Sequence, residues 1–110
     1  MALDPDYKDF ILTIAKVAEA RGSTVKDQLL GLMKELGEAI EAYELCTGTH
    51  YRKPQAGTVK DVGAELGDVV SSALVCMAYL GLDLDETLQR EVSKVKSRFP
   101  DVWEMRNGTA

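Results

Sequence analysis

An all-α fold is the prediction from the sequence, and three observations carry it. Apolar residues recur at three- and four-residue spacing along four stretches, no stretch alternates apolar with polar residues as a half-buried strand does, and residues that start or stop helices stand at the ends of the four. The 110 residues suit one domain spanning 1–110, and 45% hydrophobic content with three prolines against nine glycines excludes a disordered or collagen-like chain.

The first helix is predicted over about 5–21. Asp4 supplies its N-cap and Pro5 its first turn, and Phe10, Ile11, Ile14, Val17 and Ala18 form an apolar face before Arg21-Gly22. Ser23 or Thr24 caps a second helix over 24–47, with Leu29, Leu32, Met33, Leu36, Ile40 and Tyr43 on one side and Thr47-Gly48 as its stop. Residues 48–58 have no periodicity and contain Gly48, Pro54 and Gly57, so they form a loop. Thr58 caps a third helix over 59–80 whose inward face is Val62, Leu66, Val69, Val70, Ala73, Met77 and Leu80. Asp83 with Glu86 makes a capping-box arrangement for a fourth helix over 84–99, apolar at Leu84, Leu88, Val92, Val95 and Phe99. Pro100 ends it and leaves a tail, 100–110, with the only tryptophan, Trp103. Tyr43 and Tyr79 sit at helical spacing within apolar faces and are expected in the core.

Short connections place consecutive helices antiparallel, so the architecture expected is a four-helix bundle. The run Val69 to Leu82 is fourteen residues without a charge, short of the ~18 that a bilayer crossing needs, and reads as a buried helix. The third helix is apolar around most of its second half, more than one small bundle requires, which points to a homodimer or homotetramer.

Composition also narrows the function. Eighteen acidic against thirteen basic residues, a net charge of −5, argue against binding to duplex nucleic acid, and no stretch suggests a membrane partner. The N-terminal residues show no basic stretch followed by an apolar one, so a cytoplasmic location is expected. Cys46, Cys76 and the single His50 make neither a disulfide framework nor a zinc site, and the thiols read as reduced and structural.

Two matched carboxylate pairs carry the chemistry. The second helix holds Glu35-Leu36-Gly37-Glu38 and the third Glu65-Leu66-Gly67-Asp68. Positions three apart on a helix lie on adjacent turns, so each pair presents its carboxylates side by side, and antiparallel neighbours bring four together. Such a group repels itself unless cations balance it, and hard oxygen ligands suit Mg²⁺ or Mn²⁺ shared with substrate phosphates. Interior glycines cost roughly 1 kcal/mol each against alanine. Gly37 and Gly67, with Gly63 one turn earlier, are therefore expected to let the helices approach closely. Glu35, Glu38, Glu41 and Glu44 equally suit the solvated face of an amphipathic helix, and spacing alone leaves both readings open.

From Leu29 to Pro100 the chain resembles the MazG-like all-α nucleotide pyrophosphohydrolases, whose pattern is a Glu-x-x-Glu pair, a variable connector and a Glu-x-x-Asp pair. Lys34-Glu35-Leu36-Gly37-Glu38 matches the first pair, Glu65 to Val70 the second, and Leu80 to Glu86 with Lys94 to Pro100 the family's closing helix. The resemblance implies Mg²⁺-dependent hydrolysis of a nucleoside triphosphate, deoxy or non-canonical, to the monophosphate and pyrophosphate, in nucleotide-pool house-cleaning. It implies Glu35, Glu38, Glu65 and Asp68 as metal ligands and Lys94 and Arg98 as substrate-binding residues; a carboxylate not wholly occupied by metal would take the proton of the attacking water, and Glu38 is the expected base. Two departures bear on activity: Lys34 stands where many members have another glutamate, and Val95 where an asparagine is common. A phosphoribosyl-ATP pyrophosphohydrolase-like enzyme and a non-catalytic helical interaction module with a degenerate site are the alternatives.

Residues 90–98 hold four basic side chains and one acid, and Arg90 reads simply as a cation near a helix end. The loop His50-Tyr51-Arg52-Lys53 combines rings with positive charge, a set able to stack a base, though an ordinary exposed loop is the preferred reading. Trp103 suits either a subunit contact or a base.

Overall fold

A computed structural model describes residues 3–106 and 108; residues 1 and 2, and residues 107, 109 and 110 of the expected tail, lie outside the described residues. Among the described residues five helices follow in order: α1 (Pro5–Ala20), α2 (Val25–Thr47), α3 (Val59–Tyr79), α4 (Leu84–Arg98) and α5 (Pro100–Arg106). No strand occurs among the described residues.

Local chemistry sets the helix ends. The Asp4 carboxylate accepts from the Tyr7 amide at 3.0 Å, and Thr24 rather than Ser23 caps α2 in a reciprocal box with Asp27. Gly48, at φ +73°, lets the chain leave α2 in the left-handed conformation while the Thr49 amide returns to the Glu44 carbonyl at 2.9 Å. Asp61 accepts from both the amide and the hydroxyl of Thr58 at the start of α3, and Asp83 accepts from the Glu86 amide at the start of α4. Pro100 does end α4, but it also opens α5, because a proline at the first helical position loses no hydrogen bond. The expected tail is therefore helical through Arg106. Trp103 lies on α4's side of this turn, with the Lys96 ammonium 4.0 Å and the Arg106 guanidinium 4.9 Å from its ring centre.

α3 is the axis of the molecule. α2 packs along it, α1 lies against it, α4 meets the core through Leu84 and Leu88, and α5 folds back on α4. The core is small: Ile11 and Ala15 of α1, Leu74 and Val75 of α3, and Leu84 at the head of α4. Polar links reinforce it. The Tyr7 hydroxyl meets Ser71 Oγ at 2.5 Å, the Tyr79 hydroxyl donates to the Ser23 carbonyl, and Asp85 accepts from Lys8 Nζ at 2.6 Å and from the Leu3 amide at 3.2 Å.

The helices do not close into a compact bundle around the expected faces. The radius of gyration is 17.3 Å, whereas a compact domain of this length has about 13 Å. On α2 only Ala39 is buried, and Met33, Ile40 and Tyr43 are more than half exposed, so Tyr43 is not a core residue. The uncharged second half of α3 is buried only at Leu74, Val75 and Cys76, while Val70 and the C-cap residue Leu80 are exposed. By length and apolar composition α3 could cross a membrane, although Asp61, Glu65 and Asp68 occupy its first half. The glycine expectation fails as well: a Cβ at Gly37, Gly63 or Gly67 would meet nothing within 4 Å, so these positions do not mark a close helix approach within the chain.

Candidate metal centre

The connector 48–58 turns the chain so that α3 runs back beside α2. Its far end is tied to α2 by the Ala56 amide on the Leu45 carbonyl and by Gln55 Nε2 on the Cys46 carbonyl, each at 2.9 Å. That register sets Glu35 and Glu38 opposite Glu65. One carboxylate oxygen from each of the three lies within 4.8 Å of the others, close enough for a single cation to bridge them. Glu35 and Glu65 are half-buried and Glu38 is exposed.

The electrostatics show the strain of that grouping. Glu35 is held above its ordinary carboxylate pKa, first by burial, then by the charge and hydrogen bond of Glu38 and the charge of Asp68, with Lys34 opposing. Glu65 Oε2 is buried and has no hydrogen-bond partner. A buried carboxylate oxygen without a donor is costly, and a cation is the partner this one fits. The residues present therefore suit a hard divalent ion. Asp68, one turn beyond Glu65, is exposed; it joins the group through its charge on Glu35 rather than by sharing the 4.8 Å cluster.

Beside the cluster lies an open groove of about 620 Å³, walled on α2 by Lys34, Glu38, Glu41 and Leu45 and on α3 by Asp61 and Glu65. Glu41 is paired with Lys53 of the connector at 3.0 Å, which lowers its pKa. Spacing from Glu38 could have placed Glu41 on this wall, but nothing in an aperiodic loop indicates that Lys53 comes to meet it. The connector itself is built on His50, whose Nδ1 accepts from the amides of Arg52 (3.1 Å) and Lys53 (2.9 Å). The Tyr51 ring stacks on His50 at 4.9 Å and the Arg52 guanidinium stands 5.3 Å from the Tyr51 ring centre. Lys94 and Arg98 are not among the residues lining the groove of their own chain; Lys94 pairs with Glu91 at 2.7 Å and Arg98 is exposed.

Among the described residues the chain is a helical protein that gathers carboxylates from two neighbouring helices beside a groove, a donor set of the kind that suits a hard cation. Residues 22–103 match the model of the MazG nucleotide pyrophosphohydrolase domain, and the chain belongs to this family. The match begins after α1 and ends inside α5. No curated protein and no solved structure matches the chain. Family membership supports nucleotide pyrophosphohydrolysis as the general activity and a nucleotide as the substrate class.

Proposed function

We propose that this chain is a Mg²⁺-dependent nucleoside triphosphate pyrophosphohydrolase that clears deoxy or non-canonical nucleotides from the cytoplasmic pool. The observation that carries the reading is the convergence of Glu35, Glu38 and Glu65 within 4.8 Å in a chain of this family. Glu35, Glu65, Glu38 and Asp68 would hold Mg²⁺ or Mn²⁺. When bound, such ions supply Lewis-acid stabilisation of the phosphoryl oxygens. Glu38, the exposed member of the cluster, takes a proton from the attacking water as the water oxygen bonds to phosphorus and the bridging α–β P–O bond breaks, giving the nucleoside monophosphate and pyrophosphate.

Lys94 and Arg98 are the proposed phosphate contacts. Because they stand outside their own chain's groove, they would act across a subunit boundary. Self-association also covers the exposed apolar faces of α2 and α3. A panel of nucleoside triphosphates assayed with Mg²⁺ tests the reading: it expects the monophosphate and pyrophosphate as products, and the diphosphate with inorganic phosphate would contradict it. Preference for phosphoribosyl-ATP in the same panel would point to the related enzyme.

A further inference from the structure

We infer that Lys34 is a polyphosphate-binding residue of the groove, engaging the substrate's phosphate chain when Glu38 is occupied as a metal ligand; this rests on the pyrophosphohydrolase reading above. Lys34 begins the stripe of α2 that continues through Glu38, Glu41 and Leu45 along one wall, so its ammonium shares that wall with the carboxylates. It is the one basic residue among the described residues that line the groove. Its contact with Glu38 is a loose one, 3.9 Å, and its side chain is 75% exposed. The neighbouring acids have firmer partners, Lys53 for Glu41 and Thr58 for Asp61.

Charge balance gives the site its need for this lysine. One divalent ion on the three gathered carboxylates Glu35, Glu38 and Glu65 leaves a net negative charge, so the metal centre alone offers a polyanion no excess of positive charge. With Glu38 turned to a cation, the Lys34 ammonium loses its acidic partner and is left facing the groove, where a phosphate oxygen can replace the carboxylate. The flexible four-carbon stem of lysine suits a phosphate approached as a point charge.

The test uses the full chain and inorganic tripolyphosphate, which removes any dependence on the base. Calorimetric titration with Mn²⁺ alone, and then with tripolyphosphate in saturating Mn²⁺, compares the wild type with Lys34→Gln. The inference expects tripolyphosphate binding to weaken about tenfold or more, the loss of a charge-assisted bond, with Mn²⁺ affinity unchanged or tighter because a like charge has left the cluster. Equal tripolyphosphate affinity in the two proteins would overturn it, as would a wild type that binds Mn²⁺ but no tripolyphosphate. Joint loss of Mn²⁺ and tripolyphosphate in the variant would overturn it too, by making Lys34 a support of the carboxylates. A wild type that binds no Mn²⁺ would remove the underlying metal site and the inference together.

Discussion

Burial and two neighbouring acids, Glu38 and Asp68, raise the pKa of Glu35. A carboxyl whose folded pKa exceeds its unfolded one destabilises the fold increasingly as pH rises from the unfolded value, about 4.3, to the raised folded value, and by a constant amount above it. In chelator, Glu35→Gln should therefore melt higher than the wild type, by a margin that grows through that window. With Mg²⁺ the order should narrow or reverse, because the wild type gains stability from the ion and the variant has lost a ligand. Melting curves at several pH values with and without Mg²⁺ check both halves. The basic stripe can fail separately. Lys94→Ala and Arg98→Ala should each reduce kcat/KM for a triphosphate by about tenfold or more, the worth of a charge-assisted bond, while Arg90→Ala, paired with Glu86 at 3.2 Å, should change it little. At this scale the sequence made the carboxylate pairs legible, because i,i+3 spacing on a helix is a local rule. It left Lys34 as a mere departure from the family pattern, because its place on the groove wall depends on where α3 passes.

Helix ends were legible for the same reason. Asp4, Thr24 and Asp83 each accept from an amide in the first turn that follows, Asp61 reaches back to the Thr58 amide, and Gly48 and Gly81 adopt positive φ where the chain must leave a helix. Pro100 misleads when read only as a stop, since the same ring serves as a start, and α5 is then held by contacts of Trp103 that spacing does not announce. Packing was less legible than periodicity: apolar faces at Leu36, Ile40 and Leu66 exist as expected but are not covered within the chain. One inter-element link makes a testable prediction. Asp85 at the head of α4 is held below the ordinary carboxylate range, first by its hydrogen bond from Lys8 of α1 and then by the Leu3 amide, and Lys8 is correspondingly raised. The Asp85 share of stability is present above about pH 3.9 and is lost as pH falls through the lower folded value; the Lys8 share is present below about pH 10.4 and is lost as pH rises through the higher one. Asp85→Asn should lower the melting temperature between those limits and flatten both flanks of its pH profile.

The whole molecule is extended, at 46 × 46 × 24 Å with a core of only a few residues, and it exposes apolar side chains along α1, α2 and α3. Large exposed apolar faces on a chain this short are unfavourable for a monomer. Light scattering at micromolar concentration should give at least twice the 12.1 kDa chain mass, and a monomer mass would contradict the proposed subunit arrangement without touching the carboxylate cluster. The carboxylates Glu35, Glu38 and Glu65 are proposed as a metal centre for pyrophosphate release. Pyrophosphate production from nucleoside triphosphates by the wild type and Glu38→Gln, each with Mg²⁺ and with chelator, tests this role most directly. Release is expected only from the wild type with Mg²⁺, with both proteins retaining the same helical circular dichroism; equal release by the variant, or release undiminished in chelator, would contradict that role.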